Sequence, residues 1–425
     1  KNISSQIMVQ PRAIGIAAGV LFSFGLVPGL PTVPFLLLSG LAALTAYAAG
    51  KRKRIETRKE AAVPLSRPKS SAAESLDNIP PVDLLAIEVG YGLIPFVDME
   101  QNGELLERIK AVRKQIAREI GIIIPPVHIQ DNMQMKPGEY AIMLKGNQVA
   151  HAELMLNHLM AMSPAGSTQS MEGVAAKEPT YGLPALWIKE QAKEQALAKG
   201  YTVVDIPTVL ITHISEIIRR HAHELLGRQE VQHLVENLRQ SYPKVVEELI
   251  PGLLSVGGLG RVLQNLLREQ IPVRDLLTIM ETLADWASVT KDPDALTEYV
   301  RHALARTITR MYLTQDGRMP VLTLDPRLEK RLLASVQHGE PGAGNLAADP
   351  MLIDKMINEI AGHGEDFARL NCQPVVLCPV QIRSQLKKLV DRFIPNVTVL
   401  SYGDVLQSTR IESVGMVKAN ADKEI

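Results

Sequence analysis

Two long apolar runs set the first fifty residues apart from the rest of the chain. Residues 13–27 and 33–49 contain no charged side chain. Between them, Pro28-Gly29-Leu30-Pro31 can turn the chain but cannot continue a helix. Each run is slightly shorter than the roughly 20 residues that cross a bilayer, and its flanking residues supply the difference. The pattern predicts a transmembrane hairpin over residues 1–50.

The charges at the ends of this hairpin predict its orientation. Lys1 and Arg12 precede the first run, and the basic tetrad 51–54 follows the second. Because basic residues favour the cytoplasmic side, both ends are expected there, with the Pro-Gly turn on the opposite side. A signal peptide would need one apolar region and a small-residue cleavage site, which two runs do not match. A buried hairpin inside a water-soluble domain stays open as an alternative.

Residues 51–80 have the composition of a flexible linker. The segment is charged, contains several Ser and Pro residues, and has few large apolar side chains. Such a composition cannot bury enough apolar surface to fold by itself. We expect this linker to tether the rest of the chain to the membrane surface.

Downstream of the linker, the hydrophobic pattern predicts a first α/β unit over residues 81–156 and 206–226, interrupted by a small inserted α/β unit over residues 157–205. The first unit begins with a predicted strand over 82–98, interrupted at Gly90 and Gly92, and an amphipathic helix over 103–120 that ends at Gly121. A hairpin follows, in which 140–144 pairs with 148–153 across Gly146-Asn147. The remaining predicted elements are a helix over 186–198 closed by Gly200, a strand over 201–206 and a helix over 207–226.

Two further units follow, together with a polar tail over residues 418–425. Residues 227–305 are predicted to be helical, with Gly257-Gly258-Leu259-Gly260 as a tight turn before a helix that begins at Arg261. Residues 306–417 alternate strands with helices, which implies a largely parallel sheet. The predicted elements are helices over 229–240, 245–249, 261–269, 273–287, 294–312, 328–336, 351–370 and 380–393, and strands over 321–324, 375–378 and 397–400. The fold class is therefore multidomain α/β, with about four subdomains after the hairpin and linker.

Composition excludes some classes of partner. The 425 residues carry 46 Lys and Arg against 46 Asp and Glu, so the chain has no basic surplus that would bind nucleic acid. The two cysteines, Cys372 and Cys378, indicate a reducing compartment without a disulfide framework. The chain begins at Lys1 and is interpreted as part of a longer protein.

The sequence offers no convincing set of catalytic, cofactor-binding or metal-ligating residues. His213, His221 and His223 share one predicted helix, but their spacing is not that of the HExxH zinc motif. Cys372 and Cys378 are interpreted as buried free thiols, because zinc and redox sites favour CxxC spacing. The Gly-rich segment at 257–260 lacks the Lys of a phosphate-binding loop. We expect no enzyme activity; an enzyme whose α/β units bind a small ligand is the alternative.

Several segments resemble the FHIPEP family of bacterial type III export-gate proteins, and the flagellar members most closely. The virulence-system members of that family are the alternative. The segments are VDLLAIEVGYGLIPFVD (82–98), PPVHIQDNMQMKPGEYAIMLKG (125–146), EPTYGLPALWI (178–188), RQEVQHLVENL (228–238) and IPVRDLLTIMETLADWA (271–287).

The resemblance implies a bacterial inner-membrane protein whose cytosolic domain forms a homo-oligomeric, nonameric ring and hands export substrates to a membrane channel. Expected partners are flagellar export chaperones with cargo, other membrane components of the export apparatus, and proteins of its ATPase complex. In the family, chaperones dock in a hydrophobic dimple between the first two subdomains. The matching positions here are Met162, Pro164, Glu178, Tyr181, Lys193, Val204 and Thr212.

Some matched positions differ from the family pattern or have a plain structural alternative. Where the family has Asp and Phe, this chain has Glu178 and Tyr181, which keep the charge and the ring. Tyr181 could instead pack the Gly182 turn against the following helix. Gly90 matches a glycine on which subdomain motion depends, with a strand bulge as the alternative. Leu76 stands where an aromatic residue reaches the neighbouring subunit.

Overall fold

The computed structural model describes residues 82–97, 105–163, 171–337 and 350–418, and before them only Gly40. The predicted hairpin, linker and tail, and with them Leu76 and Pro164, lie outside the described residues. Within the described part of the chain, no helix is both long and apolar enough to cross a bilayer. Residues 81–425 form one compact unit, and the predicted boundaries between its subdomains stay predictions.

The first sheet has the strand order β2-β1-β3-β4, in which β1 is parallel to β2 and antiparallel to β3. A helix over Leu105–Ile120 ends at Gly121, whose φ of 90° suits glycine, and this confirms the predicted amphipathic helix. The hairpin is also confirmed, but its turn is centred on Lys145-Gly146, both with positive φ. The elements are β1 (Leu85–Val89), α1 (Ile94–Val97), α2 (Leu105–Ile120), β2 (His128–Asp131), β3 (Glu139–Leu144) and β4 (Asn147–Glu153).

The predicted strand over 82–98 is wrong in its second half. Strand β1 ends at Val89, and residues 91–93 form a 3-10 turn that leads into α1. The bulge considered for Gly90 is also wrong, because the register of β1 with β2 and β3 runs without a shift. Gly90 is required for another reason. A Cβ atom at this position would lie 1.9 Å from the backbone oxygen of Lys136.

The second sheet is antiparallel, in the order β6-β7-β5-β8. Its elements are β5 (Leu159–Met162), β6 (Val174–Lys177), β7 (Pro184–Ile188), α3 (Lys193–Ala198) and β8 (Thr202–Val204). The predicted helix over 186–198 is therefore wrong at its start. Leu186 and Trp187 pair with Ala161 and Met160 of β5, and the α-helix begins only at Lys193. Cross-strand packing of these large side chains outweighs the local helical pattern.

Helix α4 (Ile206–Arg220) packs against both α2 and β5. It begins where the Asp205 side chain accepts the Thr208 N–H at 3.0 Å and where Pro207 occupies the first turn. The predicted long helix breaks at His221, after which α5 (Ala222–Leu225) follows. The apolar face of α4 belongs to a core that also contains residues of both sheets and of the helices that follow.

The next region is helical, as predicted, with two corrections. The glycines at 257–260 lie inside a helix, α8 (Val256–Arg268), rather than in a turn. The Ser255 side chain accepts the Gly258 N–H and so caps the start of that helix. The small Gly260 packs against Val231. The helix predicted over 294–312 breaks at Leu304. The helices are α6 (Arg228–Ser241), α7 (Pro243–Glu248), α8 (Val256–Arg268), α9 (Leu276–Trp286), α10 (Pro293–Ala303) and α11 (Ala305–Met311), with a π-type segment over Leu249–Leu253.

The last sheet is parallel throughout, in the order β11-β10-β9-β12, which confirms the predicted topology. Strand β12 was missed, and the helix predicted over 351–370 is interrupted at His363. The elements are β9 (Arg318–Leu324), α12 (Pro326–Gln337), α13 (Pro350–Gly362), α14 (Gly364–Arg369), β10 (Val375–Cys378), α15 (Val380–Phe393), β11 (Thr398–Ser401) and β12 (Arg410–Val417).

A buried ion cluster joins this last sheet to the helical region. Arg301 contacts the carboxylates of Glu269 at 2.6 Å and Asp404 at 2.7 Å. Arg383 contacts Glu269 at 2.7 Å and also pairs with Glu298. Both arginine side chains are 1% exposed, so carboxylates rather than water compensate their charges. The cluster therefore fixes α8, α10 and α15 relative to one another.

Replacing Gly90 with Ala is expected to destabilise the protein by about 1–3 kcal/mol, because the new methyl group meets a backbone oxygen that cannot move aside easily. Gly362→Ala is the matched control, since a Cβ there has nothing within 4 Å. Urea unfolding followed by circular dichroism measures both variants. Equal midpoints for the two variants would contradict this account of Gly90.

Candidate functional site

The turn at residues 178–183 joins β6 to β7 and is organised by one carboxylate. Glu178 is only 5% exposed, and its two oxygens accept the backbone N–H groups of Thr180 at 2.8 Å and Tyr181 at 2.7 Å. Its backbone also bonds within the turn, to Gly182 and to Leu183. Gly182 has φ of +69°, a conformation that favours glycine. The turn is therefore held in one shape by a buried charge that accepts hydrogen bonds.

The side chain at the tip of this turn points outward. Tyr181 is 61% exposed, and Leu183 beside it is also exposed. The element that follows is strand β7 rather than a helix, so the alternative in which Tyr181 packs against a following helix is not supported. Partial burial, followed by the nearby carboxylates of Glu216 and Glu178, raises the pKa of Tyr181 above its usual value. Because Glu216 belongs to α4, the turn lies beside that helix.

Thr212 is on the same helix, one turn before Glu216. Its hydroxyl donates to the Thr208 carbonyl at 2.8 Å, and its side chain is exposed. Glu216 in turn accepts from Arg220 at 2.8 Å. Residues four apart lie on one face of a helix, so Thr212, Glu216 and Arg220 form a stripe along α4. Thr212 and Arg220 are exposed, whereas the Glu216 side chain is 16% exposed. The predicted residues Glu178, Tyr181 and Thr212 are thus brought together around α4.

Met162 and Val204 lie on the face of the second sheet that packs against α4. Val204 pairs with Met160 of β5, and Met162 is two residues further along that strand, so all three side chains share a face. Met162 and Val204 are half-buried and contact the main core. Of the sequence-predicted docking residues, these two are mainly packing residues.

The packing of the second sheet against α4 does not place Lys193 beside Glu178, Tyr181 and Thr212. It is the first residue of α3, and Ala196 of that helix packs on the opposite face of the sheet, against Ala161 and Ile188. Lys193 itself is exposed. Its assignment to the docking site stays a prediction, and so does that of Pro164.

A buried polar pair lies beneath the stripe along α4, and the sequence analysis missed it. The hydroxyl of Tyr140 is 2.6 Å from Nδ1 of His213, which follows Thr212 in the chain. Tyr140 is 0% and His213 4% exposed. Burial raises the pKa of Tyr140 and lowers the pKa of His213. The only sequence signal was a histidine on the apolar face of a predicted helix, which does not identify its partner.

The other residues considered for metal chemistry are in unsuitable arrangements. His221 bonds to Glu224 at 2.7 Å, and the rings of His221 and His223 stack with centroids 6.5 Å apart. Because the helix breaks at His221, these two rings lie side by side rather than on opposite faces of one helix. In the described residues, no group of three or more His, Cys, Asp or Glu side chains could hold a metal ion. Cys378 is buried, as expected, whereas Cys372 is only half-buried.

At the place where an open parallel sheet usually binds a ligand, the chain makes hydrogen bonds to itself. Such sites lie beyond the carboxyl ends of the strands where the strand order reverses, here between β9 and β12. The Asp325 N–H donates to the Val417 carbonyl at 3.0 Å. The Asp325 carboxylate accepts the Arg327 N–H at 2.8 Å, so it already occupies the start of α12.

Comparison with known proteins gives a consistent picture. The model of the FHIPEP family matches residues 1–410. The chain is 38% identical over 420 residues to "Flagellar biosynthesis protein FlhA" of Bacillus subtilis (strain 168), covering 98% of this chain and 62% of that protein. The protein of the same name from Escherichia coli (strain K12) is 37% identical over 402 residues, covering 94% and 57%. The chain thus spans less than two thirds of these relatives.

Solved structures with the same fold match about four fifths of the chain. The Chlamydia pneumoniae CdsV protein superposes with a TM-score of 0.72 at 25% identity, covering 80% of this chain and 100% of that structure. CdsV in complex with CdsO gives 0.71 at 24%, covering 80% and 99%. The nonameric EPEC SctV-C gives 0.64 at 23%, covering 80% and 100%. Each of these structures is covered to 99% or more, so each consists almost entirely of the fold that it shares with this chain.

Glu178→Ala is expected to lower the free energy of unfolding by about 1–3 kcal/mol, because the Thr180 and Tyr181 N–H groups lose their acceptors in a largely buried turn. Chemical unfolding of residues 81–425 measures the change. Glu190→Ala is the control, since Glu190 is exposed in the same small sheet unit. If the two variants were equally stable, the carboxylate would not organise the turn.

Proposed function

The chain belongs to the FHIPEP family, and on that premise we propose that it is a component of a bacterial type III export gate. In this proposal the region after the linker receives export chaperones loaded with cargo and hands the cargo to the membrane channel. The flagellar export system is favoured over a virulence system. Relatives that carry the flagellar name are 32–38% identical to this chain, whereas the injectisome structures match at 25% or less.

One observation carries the docking proposal: an exposed tyrosine stands on a turn that a buried carboxylate holds rigid. Tyrosine buries a large area on binding and loses few rotamers, which makes it a common anchor in interfaces. A turn that is already ordered adds little further entropic cost when a partner binds. The turn at 178–183 and the stripe along α4 form the surface that we assign to the chaperone.

We propose further that the chain is not an enzyme. The Asp325 carboxylate at the start of α12 occupies the position that an anionic ligand would need in the parallel sheet. The carboxylate at the candidate site, Glu178, is engaged by two backbone N–H groups, so its lone pairs are directed into the turn. Saturable stabilisation of the protein by micromolar nucleotide or divalent metal would contradict this.

For the surroundings of the chain, we propose the inner membrane of a bacterium, with residues 1–50 as the transmembrane hairpin and residues 81–425 in the cytoplasm. The SctV-C structure is named as nonameric, and CdsV is named in a complex with CdsO. By analogy, nine copies of this chain would form a ring, with contacts between copies made by the helical region and by the linker around Leu76. A protein of the ATPase complex would bind this ring. Native mass spectrometry that finds only monomer at tens of micromolar would argue against the ring.

Tyr181→Ala is expected to weaken binding of a chaperone–cargo complex by on the order of 2 kcal/mol, or about thirtyfold in Kd, because it removes the anchor. Its effect on unfolding should be small, since the side chain is 61% exposed. The probe is the filament-protein chaperone from the same genome, loaded with its cargo. Calorimetry gives Kd, and circular dichroism gives stability.

Two further variants sharpen this test. Tyr242→Ala is the matched control, because Tyr242 is 46% exposed on the helical region and should leave Kd unchanged. Thr212→Met adds bulk on the exposed side of α4, so it should hinder docking without emptying the core. Folded Tyr181→Ala and Thr212→Met proteins that bind with wild-type affinity would show that the chaperone docks elsewhere.

A further inference from the structure

The outer edge of the second sheet runs directly into the turn at 178–183, and docking as described makes no use of it. Strand β6 (Val174–Lys177) is the first strand in the order β6-β7-β5-β8, so among the described strands only β7 lies beside it. The strand ends one residue before Glu178, whose carboxylate organises the turn that presents Tyr181. Edge strands expose backbone groups that can pair with another chain.

The register of β6 with β7 shows which backbone groups point outward. The Glu178 N–H donates at 2.8 Å to the carbonyl of Leu183, the residue opposite it. In an antiparallel pair, hydrogen-bonded and non-hydrogen-bonded positions alternate. Ala176, two positions earlier, is therefore bonded to β7. Ala175 and Lys177 occupy the positions between, so their N–H and C=O groups point away from β7, toward the open edge.

This edge has weaker protection against pairing than other edges of the described sheets. Among the described residues, the outward backbone groups of Ala175 and Lys177 have no hydrogen-bond partner. Lys177 alone would make β6 a protected edge, because lysine is one of the devices that keep edge strands from pairing. A register shift interrupts the pairing of the edge strands β4 and β12 with their neighbours, whereas β6 pairs with β7 without a shift.

A strand added to this edge would also extend an apolar face of the sheet. Val174 lies opposite Trp187, which belongs to the core that α4 shares. Ala176 is on the same face and packs against that core, whereas Val174 is 52% exposed. Every second side chain of an added strand would lie beside Val174 on this face. The edge therefore fits an extended segment with apolar residues at alternate positions.

We propose that the outer edge of β6 holds an extended segment of the export cargo as a fifth strand of the second sheet, while the chaperone docks at Tyr181. The direct continuation of β6 into the turn favours a segment of the docked complex. In the proposed function the cargo passes to a channel as an extended chain, whose unpaired backbone groups match those of β6. Since backbone hydrogen bonds supply the affinity, one edge can receive cargoes of different sequence. This inference rests on the proposed function.

The two neighbouring alanines of β6 give the test an internal reference. Hydrogen–deuterium exchange of the full chain in detergent, resolved by residue, compares the free chain with the chain saturated by the empty chaperone or by the loaded one. In the free chain, the Ala175 N–H should exchange as an unpaired amide, and the Ala176 N–H much more slowly. The loaded chaperone should slow exchange at Ala175 and Lys177 by about tenfold or more, and the empty chaperone should leave both unchanged.

Proline at position 175 removes the outward N–H but no hydrogen bond to β7, which is where an edge strand tolerates proline. Ala175→Pro should weaken binding of the loaded chaperone by about three- to tenfold, the worth of one net hydrogen bond. Calorimetry gives Kd, and circular dichroism shows whether the variant is folded.

The matched control places proline at an outward position of another edge. On β4, the Leu154 N–H donates to the Gly138 carbonyl, so the same alternation directs the His151 N–H away from β3. His151→Pro should therefore bind the loaded chaperone with the affinity of the unsubstituted chain. If Ala175→Pro fails to fold, exchange in the unsubstituted chain still decides.

The outcomes separate this inference from the proposed function. If the loaded chaperone does not bind the unsubstituted chain, the proposed function is wrong and the inference falls with it. If it binds and Tyr181→Ala weakens binding, but Ala175 and Lys177 exchange as in the free chain, docking stands and the inference is wrong. Unchanged affinity of folded Ala175→Pro protein has the same meaning.

Two further results would assign the edge to another occupant. Slow exchange at Ala175 with the empty chaperone would assign the edge to the chaperone. Slow exchange in the free chain would assign it to a second copy or to the chain itself. Either result overturns the proposal that cargo occupies β6.

Discussion

Helix α4 is the element on which the rest of the site depends, because its residues pack against two different sheets at once. The buried residues Val209, Leu210 and Ile214 join the core shared by the first sheet, the second sheet and the helices that follow. Arg219 bonds to Glu119 of α2 at 2.5 Å on the surface, which joins α4 to that helix as well. A small shift of α4 would therefore disturb both sheets. That rigidity allows the opposite face of the helix to present exposed residues in a fixed position.

The site separates the residue that fixes a shape from the residue that meets a partner. Glu178 is buried, and each of its carboxylate oxygens accepts a backbone N–H group. Tyr181, three positions later, is exposed. A carboxylate on the rim of the docking surface could contact a partner directly. Because Glu178 is buried, its role is instead to stabilise the turn. Substitutions at the two positions should therefore have different effects, one mainly on stability and one mainly on affinity. Beneath both, Tyr140 and His213 form a buried hydrogen-bonded pair.

Sequence reasoning succeeded where a local pattern determines the structure. Strand β10 and helix α15 have the predicted bounds, since each has its own apolar period and both meet at Pro379. It failed where residues far apart in the sequence determine the local structure. Strand β7 forms because Trp187 pairs with Met160 of β5. Strand β12 was missed because it is an exposed edge strand with little apolar signal. Within the site, the motif around Glu178 and Tyr181 was recognisable. The contact between Tyr140 and His213, 73 residues apart, has no signature in the sequence.

The central claim is that one rigid surface, formed by the turn at 178–183 and the stripe along α4, receives the chaperone. Hydrogen–deuterium exchange on residues 81–425, with and without the loaded chaperone, tests it most directly, because it maps the whole unit without any substitution. The account predicts slower exchange in the turn and along α4. Protection confined to another surface, such as the 550 Å³ groove lined by Met311, Leu313 and Leu370, with the turn unchanged, would contradict it.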